Sequence, residues 1–305
     1  MELWFWLAVV TAVIGGIPPF LTKVAAYRNY DAGLFLLLGS VSKALIVIPL
    51  ALLVADWSTF NIIPFMLGFL VGAIAMPGAM LRITALRHID ATLYFPLHKV
   101  LSPTMVILAG VILFSESFTW VEWLGLIGGV IVPLLLISPS ENSRQSNLRA
   151  GLILIVVTAF LSGVGAIINK FNVDSFVGTT LWILAGNATG FLLVALVQYV
   201  VKKRGFIKAV QFINTVDRSM IILSLIRGLL LVISIGSGLY ALALGGPVGI
   251  VYTIGALYIL IPIILSIIFF NEHWNWQKAL AIVLSVVSLA FLGEIIKSNR
   301  LLHVW

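Results

Sequence analysis

The chain has 305 residues, 61% of them hydrophobic and only 10% charged, with 18 Lys and Arg against 11 Asp and Glu. An ordinary soluble domain is roughly 45–50% apolar and about 25% charged; so few charges cannot cover a water-soluble surface, and the composition is that of an integral membrane protein. The net charge of +7 sits in short gaps between apolar runs, as topology signals do, which argues against nucleic-acid binding. With no cysteine, disulfides, thiolate metal sites and a cysteine nucleophile are excluded.

A spanning helix takes about 20 apolar residues. Ten such runs follow one another: 3–26, 32–55, 62–86, 91–114, 119–137, 150–171, 176–201, 219–244, 248–270 and 276–296. Alternating barrel strands are absent, so the expected fold is all-α, with ten transmembrane helices satisfying their own backbone in lipid. The first run opens Met1-Glu2 without a basic region and without a convincing cleavage site, and reads as a span rather than a signal peptide. The longest connections are 138–147, which is polar and falls near the midpoint, and 202–217. The latter mixes Lys202, Lys203, Arg204 and Lys208 with Phe206, Ile207, Phe212 and Ile213, as an interfacial segment does.

A shift of 147 residues lays Val9-Val10-Thr11-Ala12 on Val156-Val157-Thr158-Ala159, Gly16 on Gly163 and Lys23 on Lys170. A shift of 156 lays Glu116 on Glu272 and Trp120 on Trp276. Two five-helix units at 1–138 and 149–305, joined by a linker at 139–148, are expected. Because five is odd, the second unit enters the membrane from the opposite side, which makes an inverted repeat of the kind many transporters use.

The fourth and ninth runs carry the most specific pattern: Pro103 followed by Val-Ile-Leu-Ala-Gly-Val-Ile-Leu-Phe-Ser-Glu116, and Pro262 followed by Phe269-Phe270-Asn271-Glu272, each leading to a Trp and a small-residue-rich last helix. In this the whole chain resembles the ten-helix EamA-type permeases of the drug/metabolite transporter superfamily. That family usually has Gly before the Glu, where this chain has Ser115 and Asn271. The resemblance implies a central cavity lined by spans 1–4 and 6–9, peripheral spans 5 and 10, and alternating access without ATP hydrolysis. No Walker-type phosphate loop is present, in agreement.

Three Lys and Arg fall on the side of the termini and twelve on the other, with Lys43, Lys99 and Arg227 inside spans. Basic residues favour the cytoplasm, so the count puts both termini outside the cell membrane, whereas relatives by resemblance are described with cytoplasmic termini.

A charged side chain near the bilayer centre costs at least about 2.5–3.5 kcal/mol on insertion scales. Lys43 is the deepest, with His98-Lys99 a third of the way into the fourth run and Arg227 two turns into the eighth. These four, with Tyr94, Tyr252 and Asn187, are the candidate substrate-binding residues. Structural alternatives are a lysine reaching the interface or a histidine bonding a neighbouring helix. Asn169 and Gln198 are further possible donors, and Tyr258 and Trp182 further possible lining residues. Acids keep to span ends, so buried cations without a buried acid point to an anionic or carboxylate-bearing cargo. Gly15-Gly16-Ile17-Pro18-Pro19 is expected to break the first helix beside the cavity, and Ser162-Gly163-Val164-Gly165 to loosen the sixth at the matching place. Pro77-Gly78 is expected to interrupt the third, while Gly68, Gly72, Gly125 and Gly129 read as packing faces.

The expected function is a secondary transporter of a small-molecule metabolite, working in the lipid bilayer without a cofactor or metal and not as an enzyme. A proton as coupling ion and an oligomeric form both stay open. A flippase for a lipid-linked or polyprenyl-phosphate cargo is the alternative on the same fold, and a non-transporting receptor or scaffold the alternative of a different class. His88, Asp90 and His98 lack the spacing of a metalloenzyme helix.

Overall fold

The chain starts its helices with its acids. Asp31 accepts from the Leu34 N–H at 2.9 Å, Asp56 from Ser58 and Asp217 from Ser219, each satisfying an orphan donor of a first turn. The Ser58 N–H holds the Asp56 carboxyl below the usual carboxylate range. Thr119 and Glu122 close a reciprocal box, with the Thr119 N–H donating to Glu122 at 2.6 Å. Acids spent on helix ends are not available to the interior.

The computed structural model describes residues 2–28, 30–88, 91–135, 148–176, 178–202, 217–270 and 276–298. The helices are α1 (Leu3–Gly15), α2 (Ile17–Tyr27), α3 (Ala32–Val54), α4 (Ile62–His88), α5 (Ala91–Phe114), α6 (Trp120–Leu135), α7 (Leu148–Ser175), α8 (Thr180–Lys202), α9 (Arg218–Ala243), α10 (Val248–Ala256), α11 (Leu260–Phe270) and α12 (Trp276–Ser298). Short 3-10 turns stand at Trp57–Thr59 and Leu257–Ile259, and no strand occurs among the described residues. Seven helical stretches are long and apolar enough to cross a membrane; Trp120–Leu135, Val248–Ile259 and Ala279–Leu292 are apolar but shorter. Residues 139–147 of the expected linker at 139–148, residues 203–216 of the basic segment, Asp90 and Glu272 lie outside the described residues, as do the side chains of Lys23, His88 and Glu294.

Large apolar side chains face outward, with Leu53 84% and Ile112 74% exposed, while Lys43, His98 and Arg227 are buried. That inversion of the soluble pattern suits lipid outside and a polar interior.

The expected helix breaks are partly corrected. The first run does divide, at Gly16 between α1 and α2, where Pro18 and Pro19 occupy the first turn of α2 and need no intrahelical donor. In contrast, α7 runs unbroken through Gly163 and Gly165, and α4 through Pro77-Gly78. A glycine lowers helix propensity by only about 1 kcal/mol and keeps its N–H; at Pro77 the Ala73 carbonyl does lose its donor, and the packing of α4 on α7 and α8 carries that helix through. The ninth run holds a break that was not expected. It turns 3-10 at Leu257–Ile259, where Pro262 has no N–H to give the Tyr258 carbonyl. The two divided segments touch, since a Cβ on Gly16 would lie 2.8 Å from the Tyr258 carbonyl oxygen and closer still to the Ile261 side chain.

Small residues set the other crossings. Gly68 and Gly72 of α4 lie against the backbone of Ile183 and Asn187 on α8, while Gly186 and Gly190 of α8 lie against Phe65 and Phe69 on α4. Any Cβ at these four positions would strike a carbonyl oxygen, so they bring two backbones into contact. Gly228 of α9 meets the Gly39 carbonyl of α3 in the same way. Gly125 and Gly129 of α6 face Leu292 and Thr253. All four glycines expected on packing faces are found there. α4 packs mainly on α7 and α8, α9 on α1 and α3, α5 on α7 and α10, and α6 on α12.

Polar contacts mark the two ends of the bundle. At one, Tyr30 donates to Asp217 at 3.0 Å and Lys202 lies 3.6 Å from Asp31. At the other, Asn172 donates to the Pro64 carbonyl at 2.9 Å, Trp182 packs edge-on against Trp57 and Phe60, and Lys170 pairs with Asp174 and reaches the Gly246 carbonyl.

Candidate functional site

Between these ends lies a cavity of about 390 Å³. Its walls come from α1, α3, α4, α5, α7, α8, α9 and α10 with the following 3-10 turn, and among the described residues none comes from α6 or α12.

Of the candidate residues, Lys43, His98, Lys99, Asn187, Arg227 and Tyr252 line this cavity together. The eleven residues on either side of Lys43 in α3 keep it from both helix ends, and its ammonium donates instead to the Asn187 side-chain oxygen of α8. The Phe191 ring, one turn further along α8, lies 5.7 Å from the same nitrogen. Arg227 stacks its guanidinium over Phe35 at 5.8 Å. It has that room because α3 carries glycine at position 39, where a Cβ would come within 3.1 Å of Arg227 Nη1. Lys99 sits 3.8 Å above the Tyr258 ring, on the 3-10 turn that breaks the ninth run.

Tyr94 is fully buried but does not line the cavity. It stacks on His98 at 5.7 Å and shares a 2.8 Å hydrogen bond with Thr158 of α7, so it holds the imidazole from behind. His98 Nε2 in turn lies 3.4 Å from Ser162 Oγ. Of the expected helix-break residues only Gly165 reaches the cavity. Gly163 packs on Met105 and Val106 of α5, and Gly15 faces Ser234 of α9. Gly16, Pro18 and Pro19 stand at the break without reaching the cavity wall. Asn169 and Tyr258 join the lining, whereas Gln198 and Trp182 do not.

Arg82 is the functional-site residue that sequence reasoning missed. Six residues before the end of the described α4, it looked like a basic residue at a span end. In the fold it lines the cavity with Lys99, within electrostatic reach of His98, Arg227, Tyr94 and Tyr258. The signal that could have found it is its spacing from Gly78 and Val71 of the same helix, at four and eleven residues, which puts all three on one face.

Lys43, Arg82, Lys99 and Arg227 thus contribute four cationic side chains from four helices, and no Asp or Glu lines the cavity among the described residues. Arg82 Nε, Arg227 Nε and Arg227 Nη1 have no protein partner. The described acids are engaged elsewhere. Glu116, for example, accepts the Val248 N–H at 2.5 Å and the Gly249 N–H at 3.2 Å, capping α10. The arrangement can bind an anion by charge-assisted hydrogen bonds in surroundings where such bonds are strong. No group of three or more His, Cys, Asp or Glu able to hold a metal occurs among the described residues.

No protein-family model and no curated protein matches the sequence. Several solved structures match; for one of them, a protein's crystal structure, the TM-score is 0.67 at 14% identity, covering 98% of this chain and 97% of that one. At that identity the likeness is one of fold.

Proposed function

We propose that the chain is a secondary transporter that carries a small anionic metabolite across the cell membrane by rocking two inverted five-helix halves about the central cavity. One observation carries this reading: four cationic side chains from α3, α4, α5 and α9 surround one cavity that no described carboxylate lines. A single buried cation is explained by a carbonyl or a helix end, but four of one sign repel each other, and a substrate bringing negative charge relieves that repulsion.

The packing supports ten spans in two inverted halves. With α1–α2 and α10–α11 each taken as one span, exchanging the first five spans with the last five turns the contacts of α4 with α7 and α8 into those of α9 with α1, α2 and α3. Both sets occur. The pairing of α6 with α12, and their absence from the cavity wall, fits the resemblance to ten-helix EamA-type permeases. The basic segment at the end of α8 supports termini on the outer side.

The test is a thermal-stability panel on detergent-purified protein with inorganic phosphate, citrate and tetraethylammonium, followed by counterflow in proteoliposomes with any ligand found. A ligand of the folded state stabilises by about 2.7 kcal/mol at a hundredfold excess over Kd. Stabilisation by an anion, weakened in Arg227→Gln, is expected. A response to tetraethylammonium alone would reject the anionic reading, and binding without counterflow would reject transport.

A further inference from the structure

The cavity has two unlike ends, and α7 measures the distance between them. Thr158, Ser162, Gly165 and Asn169 form one stripe along this helix, and all four line the cavity. At Ser162 the stripe meets His98, which lies in the electrostatic neighbourhood of Arg82 and Lys99. At Asn169 it meets Tyr252, whose hydroxyl lies against the Asn169 amide. From Ser162 to Asn169 is seven residues, about 10 Å at the rise of an α-helix.

The ends differ in chemistry. The Ser162 end collects full charges, and the guanidinium nitrogens left without partners belong to Arg82 and Arg227. At the Asn169 end the polar groups are neutral, and Asn169 Oδ1, in a residue only 8% exposed, has no partner. Between them, at Gly165, the wall meets Val71, and next to Val71 along α4 Gly72 lies on the backbone of Asn187, which holds the Lys43 ammonium; Leu239, Leu242 and Val251 add apolar surface to the same lining. A compact inorganic anion would answer the first end and leave the second unsatisfied, and a buried amide carbonyl without a donor is costly. A zwitterion would bring an ammonium for which no described lining residue supplies a carboxylate.

We infer that the cavity is built for an elongated organic oxyanion: a doubly charged head among Arg82, Lys99 and Arg227, a middle that passes the amide-held Lys43, and a neutral hydroxyl or amide about 10 Å away at Asn169 and Tyr252. This rests on the anion-binding reading above and adds length, polarity and the identity of the far end.

A homologous series tests it. The probes are ω-hydroxyalkyl phosphates of two to eight carbons, the alkyl phosphates of equal length, and the ω-aminoalkyl phosphates, with inorganic phosphate as the head alone. Kd is measured on the purified full chain by thermal shift and by displacement. The hydroxyl is expected to improve affinity about tenfold, and only at intermediate length, where it spans the cavity. The amino series is expected to be weaker than the hydroxyl series throughout. In Tyr252→Phe, which keeps the ring, and in Asn169→Leu, the ratio of hydroxyalkyl to alkyl affinity should fall toward one. Binding of phosphate with no hydroxyl increment at any length overturns the two-ended site and leaves the anion-binding reading standing. An increment that persists in both variants overturns the assignment of the far end. If neither phosphate nor any alkyl phosphate binds, the anion-binding reading itself fails, and this inference with it.

Discussion

Lys43 on α3 donates to the Asn187 side chain on α8, and both residues are buried. An amide dipole therefore answers a full charge, which satisfies the hydrogen bond without neutralising the site. Had position 187 been an aspartate, the pair would be self-contained and the cavity would hold one fewer uncompensated cation. The choice of Asn over Asp leaves positive charge in reserve.

Asn187→Asp is accordingly a sharper experiment than deleting the lysine. The substitution is nearly isosteric, and the protein should fold and melt at or above the wild-type temperature. Its affinity for phosphate or citrate should weaken about tenfold, equivalent to about 1.4 kcal/mol. An unchanged anion affinity, measured by titrating ligand against thermal stability, would make Lys43 a structural residue.

Glu116 and Ser115 act on stability from the connection between α5 and α6. Glu116 accepts two backbone N–H groups of the first turn of α10, so Glu116→Ala should cost about 1–2 kcal/mol. Ser115 holds φ 54, a left-handed conformation that costs an ordinary residue roughly 1–2 kcal/mol. Ser115→Gly should therefore raise stability, by up to about 1 kcal/mol once the greater unfolded-state freedom of glycine is set against the strain. Thermal unfolding of the two variants should move in opposite directions.

Much of the fold was legible because lipid demands long apolar runs. Run 32–55 became α3 (Ala32–Val54) and run 91–114 became α5 (Ala91–Phe114), within a residue. The candidate site was legible where depth alone is informative, as for Lys43. It was illegible where meaning depends on direction. Arg82 lies as close to a helix end as a snorkelling arginine would, and only the packing of α4 against α7 and α8 turns it inward. The Gly-rich stretch of α7 misled for the opposite reason: glycine allows a break without requiring one, whereas the missing N–H of Pro262 forces the Tyr258 carbonyl to go without its usual partner.

Glycines that look alike in sequence should respond oppositely to alanine. At Gly72 a Cβ would strike the Asn187 backbone carbonyl and the Phe191 nitrogen, both fixed atoms of the facing helix. Gly72→Ala should push α4 and α8 apart and lower stability by about 1–3 kcal/mol. At Gly255 an added methyl would find no atom within 4 Å, so Gly255→Ala should gain up to about 1 kcal/mol from helix propensity. Melting temperatures in one detergent separate the two.

The contact between the two divided segments is the place where motion and packing meet. Gly16 lies against the Tyr258 carbonyl and Ile261, and Tyr258 carries Lys99 on its ring, so the crossing touches the cavity wall through Tyr258. If the halves move about this crossing, a methyl at Gly16 obstructs the movement more than it disturbs the resting cavity. Gly16→Ala should then slow anion counterflow in proteoliposomes at least tenfold while the equilibrium Kd for the same anion shifts by less than that factor. Gly236→Ala serves as the comparison, since its added Cβ would meet only Leu184 Cδ2 at 3.6 Å, an ordinary contact with the tip of a flexible side chain. Equal losses of flux and affinity in Gly16→Ala would mean that the crossing shapes the site without acting as its pivot.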